Sequence, residues 1–152
     1  MTDKSAFSDE EWKALTDAPL LISLALFAVG EHGPISMVKE ASASARTIAH
    51  PPAAGPAAPL IAAIAREAES KEARHDARQH HGESLDAVVE ASLADLGSAA
   101  TALRKLPADE GAQVGGWFVD IAKAVAAAAK TVTPAEQETI AKIASLFEIP
   151  SS

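Results

Sequence analysis

The residues best suited to chemistry lie in the polar stretch that begins near residue 70. Glu72 and His75 stand three positions apart, and Asp76 and His80 continue at helical spacing. Residues three and four positions apart share one face of a helix, and bundle proteins that bind two iron ions use a carboxylate and an imidazole at this spacing. The segment therefore predicts a divalent metal site on Glu72, His75, Asp76 and His80.

The same stretch also supports a reading without a metal. A di-iron site takes a second Glu-x-x-His pair from a facing helix, and the sequence contains no other pair of that kind. Lys71, Arg74 and Arg78 stand among the acidic residues, and their charges oppose a cation. The alternative is a salt-bridged helix surface that faces solvent or a partner protein. His81 and Glu83, at the end of the stretch, are then candidate interaction residues.

Three other residues could bind a ligand, but a structural role explains their positions better. His32 lies in a turn between two apolar helices, where it can cap backbone carbonyls or, as the alternative, bind a ligand or sense pH. We keep it as a candidate interaction residue. Trp12 and Trp117 are expected near helix starts at the edge of the core, with a binding pocket as the alternative.

Composition and motifs exclude several classes of function. The sequence has no cysteine, no Gly-x-Ser-x-Gly turn and no phosphate-binding glycine loop, so we expect no enzyme and no catalytic residues. Its net charge of −8 repels nucleic acids and anionic lipids. The N-terminal segment lacks a basic start followed by an apolar stretch, so we expect a cytoplasmic protein without membrane insertion.

The elements that must position these residues are helices. The 152 residues include 36 alanines and few large aromatics, which predicts one all-α domain spanning residues 1–152. Capping boxes at Ser8 and Thr133, together with glycines and prolines, predict six to seven helices, and Gly115 and Gly116 indicate a close helix approach or a kink. A proline-rich loop covers residues 50–59. The predicted helices span residues 8–16, 17–30, 36–49, 60–82, 83–106, 108–129 and 133–149.

The two ends of the chain resemble each other at an offset of 97 positions. Leu24 aligns with Ile121, and Ile35-Ser36 aligns with Val132-Thr133. In both places an apolar helix ends in a short turn, and a hydroxyl residue then starts a second helix. The sequence therefore predicts two pseudo-repeated helical hairpins, at residues 17–49 and 117–149, with the middle helices completing the bundle.

The turns of these hairpins resemble the tellurite-resistance TerB-like family. That family has an alanine-rich helix followed by Asp-Gly-x-(Ile/Val)-(Ser/Thr), with a glutamate three residues later. Residues 32–36, HGPIS, and residues 129–133, AKTVT, with Glu136, are similar to it. The aspartates are replaced by His32 and Ala129, and Lys39 stands at the first glutamate position. The resemblance implies an all-helical fold, divalent metal binding and membership of stress-response complexes.

From these patterns we expect a non-catalytic helical interaction or scaffold module of the TerB-like kind, with a protein partner or self-association and no cofactor. The alternative is a helical bundle that binds a metal or cofactor through Glu72, His75, Asp76 and His80. A third reading is a bundle that holds an apolar small molecule between its helices. We expect partner contacts in residues 70–83, and first proteolytic cuts in residues 50–59 or 76–84.

Overall fold

Helices dominate the architecture. The computed structural model describes residues 4–29, 34–73, 85–128 and 133–147, which form six α-helices and a short 3₁₀ helix, Lys4–Ala6, and contain no strand. The predicted all-α bundle is confirmed. The helices are α1 (Asp9–Val29), α2 (Pro34–Ala49), α3 (Ala58–Ala73), α4 (Leu85–Leu103), α5 (Ala108–Ala128) and α6 (Pro134–Leu146).

The first two predicted helices are one continuous helix, so the predicted break at residue 17 is wrong. Pro19 lies inside α1, where a proline costs about 3 kcal/mol. The helix continues because Leu15, Ile22 and Leu26 are fully buried on one stripe, and each such burial contributes about 2 kcal/mol. Asp17, expected to cap the second helix, instead forms an ion pair with Lys13, with 2.8 Å between Oδ2 and Nζ.

The other five helices all pack against α1. The core around it contains the fully buried side chains of Ile48, Ile61, Leu96, Phe118 and Ile143, which come from α2 to α6. The sequence predicts a central helix in this region because the second half of α1 is apolar almost all round. That prediction is confirmed.

The helices of the two predicted hairpins are α1 with α2 and α5 with α6. The first helix of each hairpin contacts both helices of the other, since α1 packs on α5 and α6 while α5 packs on α1 and α2. This reciprocal packing is typical of two hairpins joined into one bundle. Helices α3 and α4 complete the bundle, and both lie against α1.

The proline-rich loop is irregular over residues 50–57, and α3 begins at Ala58 rather than Leu60. The side chain of Gln113 on α5 holds this loop. Its Nε2 donates a hydrogen bond to the carbonyl of Ala54 at 2.8 Å, and its Oε1 accepts one from the backbone N–H of Ala57 at 2.6 Å. Gly55 lies between them with φ 115°, and a Cβ there would collide with the Gln113 side chain. The loop is thus fastened to α5 at two points.

Candidate functional site

The residues predicted to carry chemistry are not described in this structure. Glu72 lies in α3, but its side chain is outside the described part. The other predicted metal ligands and interaction residues, namely His75, Asp76, His80, His81, Glu83 and His32, fall outside the described ranges. Residues 4–29, 34–73, 85–128 and 133–147 hold no group of three His, Asp or Glu side chains arranged for a metal ion. The metal site stays a prediction.

The two tryptophans show different surroundings. Both are buried, as predicted, but Trp117 lies in the middle of α5 rather than near its start. The Trp12 indole donates a hydrogen bond to Glu67 on α3. The Nε1 of Trp117 is buried without a partner, and its ring packs on Phe118 with centroids 5.5 Å apart.

Two groups of polar contacts meet at the consecutive residues Glu11 and Trp12, and we call them together the N-terminal corner: Ser8, Glu11 and Lys105 in one group, Trp12 and Glu67 in the other. Ser8 and Glu11 exchange two hydrogen bonds, of 2.8 and 3.1 Å, and so form the predicted capping box. Lys105, in the turn after α4, donates to Glu11 at 2.6 Å. The Lys105 ammonium and then the Ser8 backbone N–H hold the pKa of the Glu11 carboxyl below its ordinary value. These hydrogen bonds join α1 to α3 and to the turn between α4 and α5.

An apolar depression between α4 and α6 has a different character. It has a volume of about 460 Å³ and is open to the exterior. Leu93 contributes from α4, and Ala141 and Leu146 contribute from α6, all partly exposed. We call it the α4–α6 groove. Its lining consists of Leu93, Glu138, Ala141, Lys142, Ser145 and Leu146.

A second depression continues the groove toward the end of α6. It has a volume of about 330 Å³ and is lined by the last turn of α4, the first turn of α5 and the end of α6. Leu146 lines both depressions, so together they form one continuous face, which is mostly apolar in the groove and mixed toward the end of α6. Leu93 lies beside residues 138–146, and Leu103 beside Leu146 and Phe147, so α4 and α6 run in the same direction along this face.

Small residues make this face concave. Ile143, Ala144 and Phe147 place the buried side of α6 in the core, whereas Ala141 and Ser145 lie toward the groove and fill little space. On α4, Gly97 lies four residues after Leu93 and three before Ala100, which places it on the same side of the helix. A Cβ built on Gly97 would meet no atom within 4 Å. The surface of α4 is therefore open at Gly97, although Gly97 lines neither depression.

Charged side chains stand at the edges of the face. Glu138 and Lys142 form an ion pair of 3.4 Å on the α6 side, and both are mostly exposed. Glu90 is exposed one turn before Leu93 on α4. Arg104 lines the far end, beside the first turn of α5, which carries Asp109. The lining offers apolar contact with charges at its rim, which suits binding better than bond making or breaking.

Sequence reasoning missed this face. The helical spacing predicts Leu93 on the core-facing stripe of its helix, and Leu93 does pack against the core, but part of its side chain stays exposed in the groove. One signal was present in the sequence, since Gly97 interrupts a strong helical pattern at a cost of about 1 kcal/mol relative to alanine. The expected close helix approach at the other interior glycines is absent at Gly116, where a Cβ would also meet nothing within 4 Å.

Comparison with known proteins supplies no relative. No protein family, no curated protein and no solved structure matches this chain. The resemblance to the TerB-like family therefore stays a prediction from the turn sequences. In the part of the chain that the structure describes, none of the helices combines the length and the apolar character that a membrane crossing requires.

Proposed function

We propose that this chain is a non-catalytic interaction module that binds a protein partner on the face formed by α4, the start of α5 and α6. The observation that carries the proposal is the mostly apolar α4–α6 groove, which adjoins a second depression through Leu146. Concave apolar surfaces with a charged rim are typical of binding sites. The residues that line this surface differ from residues 70–83, where the sequence alone predicts partner contact.

The resemblance of the turns to TerB-like proteins supports the same class of function. It implies a scaffold role in a stress-response complex, and we include that role and a cytoplasmic location in the proposal. Glu138 and Lys142 already pair with each other at the rim, and Ser145 lies on α6 among alanine and leucine. This set of side chains favours contact with a partner over turnover of a substrate.

Site-specific photocrosslinking in the native cell tests the proposal. A benzoylphenylalanine at Ser145, which is exposed in the groove, is expected to yield a discrete protein adduct. The matched control carries the same group at Glu69, exposed on α3, and is expected to yield none of that adduct. Equal adducts from both positions, or none from Ser145, would contradict a binding role for this face, as would specific catalysis by the pure protein.

A further inference from the structure

The depression at the end of α6 combines an apolar floor with one positive charge. Leu103, Leu106 and Phe147 belong to its lining and are nearly buried, with 7 to 8% of their surface exposed. Among the described residues that line it, Arg104 is the only one with a charged side chain, and that residue is exposed. The volume of about 330 Å³ lies within the range of roughly 300 to 1,000 Å³ that small-molecule sites occupy. Size and lining therefore suit a small molecule with an apolar body.

Small residues keep this depression open on the α5 side. The start of α5 contributes Ala108, Gly111 and Ala112 to the lining, and none of them has a large side chain. A Cβ on Gly111 would lie 3.3 Å from the carbonyl oxygen of Leu103. The glycine thus allows α5 to begin close against the end of α4, and the space in front of these residues remains available to a ligand.

The charges of the lining favour a single negative charge. In the adjoining α4–α6 groove, Glu138 and Lys142 pair with each other at 3.4 Å, so Arg104 leaves the combined lining with one more positive than negative charge. A guanidinium has five N–H donors in a planar fork that matches a carboxylate, so it can bind one in addition to an interaction within the chain. Because the whole chain carries a net charge of −8, a monoanion is opposed far less than a polyanion.

The groove offers a path for an apolar chain. Leu146 lines both depressions, and from there the groove continues to Leu93. The two depressions follow α6 from Phe147 back to Glu138, nine residue steps, or about 14 Å at the rise of an α-helix. A medium-length alkyl chain can lie along this distance in contact with both leucines.

We propose that this face binds a small amphipathic carboxylate of the fatty-acid class, with its carboxylate on the Arg104 guanidinium and its alkyl chain along the groove past Leu146. This small-molecule site goes beyond the proposed contact with a protein partner. Ligand and partner share the same face, so the ligand also competes with the partner for it.

Calorimetric titration of the full-length chain with decanoate, below its micelle threshold, tests the proposal. We expect one-to-one binding. Butanoate has the same head group without the long chain, and decylamine has the long chain with a positive head group. Both are expected to bind weaker than decanoate by about tenfold or more. Decylamine is the sharper control, because the net charge of −8 alone would favour it over decanoate.

Two pairs of variants locate the site. Arg104→Met is expected to weaken decanoate binding about tenfold, whereas Lys123→Met, which removes the same charge from an exposed position on α5, should leave it unchanged. Ala112→Leu fills the depression and should also weaken binding about tenfold. Its control is Ala127→Leu, at an exposed position of the same helix outside both linings, which should have no effect. Circular dichroism and thermal unfolding verify that all four variants fold.

Four outcomes would overturn the proposal. These are absence of decanoate binding, equal or tighter binding of decylamine, uptake of several decanoate molecules per chain, and equal weakening in a variant and its control. If decanoate does not bind while Ser145 still yields its specific adduct in cells, the ligand site fails and the proposed function stands. Decanoate binding that depends on Arg104, without any Ser145 adduct, would support the ligand site and contradict the proposed function.

Discussion

The N-terminal corner and the α4–α6 groove use their side chains in opposite ways. In the corner, Glu11 interacts with Ser8 and Lys105, and Trp12 donates to Glu67, so the polar groups connect parts of one chain. In the groove, Leu93 and Leu146 pack against the core but remain partly exposed. The comparison distinguishes a region whose side chains hold the fold together from a region whose apolar side chains are still partly exposed and available for contact.

The largest expected loss of stability comes from a substitution in the N-terminal corner. Trp12→Ala removes a buried ring that also packs on Phe7, with ring centroids 6.2 Å apart, and leaves Glu67 without its indole donor. We expect a loss of about 3 to 5 kcal/mol in the free energy of unfolding, measured with urea. Leu146→Ala, its counterpart in the groove, is expected to cost about 1 kcal/mol because that side chain is only partly buried. Equal losses would contradict the distinction between the two regions.

A second prediction concerns the two hydrogen bonds from the Gln113 side chain to the proline-rich loop, which we call the loop clamp. Like the N-terminal corner, this region pairs its polar groups within the chain. Gln113→Ala removes both side-chain hydrogen bonds to the loop and is expected to cost about 2 kcal/mol. It should also admit protease cleavage within residues 50–57, while the intact protein is cut first within residues 76–84. Gln137→Ala, on the exposed side of α6, serves as the control and should change neither property. First cuts at 50–57 in the unaltered protein would show that the clamp does not protect the loop.

The third prediction concerns Gly97, which lies one turn after Leu93 on α4. Gly97→Ala is expected to stabilise the protein by up to about 1 kcal/mol, because alanine is the better helix former and its methyl group meets no neighbour. Gly116→Ala should give a similar gain for the same reason. Thermal unfolding measures both as increases in Tm of a few degrees. A destabilised Gly97→Ala variant would show that the glycine serves the fold itself.

The smallest effect is a pH dependence in the corner. Lys105→Met removes the main cause of the lowered Glu11 pKa, so that pKa should rise toward 4.5, as measured by NMR titration. A lowered folded-state pKa stabilises the protein above the unfolded-state pKa and ceases to do so as the pH falls through the folded-state value. The stability difference between the two proteins should therefore be largest near neutral pH and shrink in acid. A difference that is constant across this range would rule out the Glu11 carboxylate as its origin.

The sequence predicted the helices far better than the candidate site. Capping boxes at Ser8 and Thr133 mark two helix starts correctly, because those signals act within four residues of chain. Pro19 misled the prediction, since its local cost is outweighed by burial against helices distant in sequence. The groove could not be predicted for the same reason. Whether Leu93 and Leu146 face the core or the outside depends on how α4 lies beside α6, and no local pattern specifies that.

The aromatic contacts at the end of α6 have a practical consequence. Phe147 lines the far depression and packs on Phe118 with centroids 5.1 Å apart, and Phe118 in turn packs on Trp117. An indole so placed senses repacking of the binding face through two rings. In a Trp12→Phe background it becomes the sole tryptophan, and its emission can report occupancy without an attached dye. The fluorescence of Trp117 is therefore expected to report binding at this face.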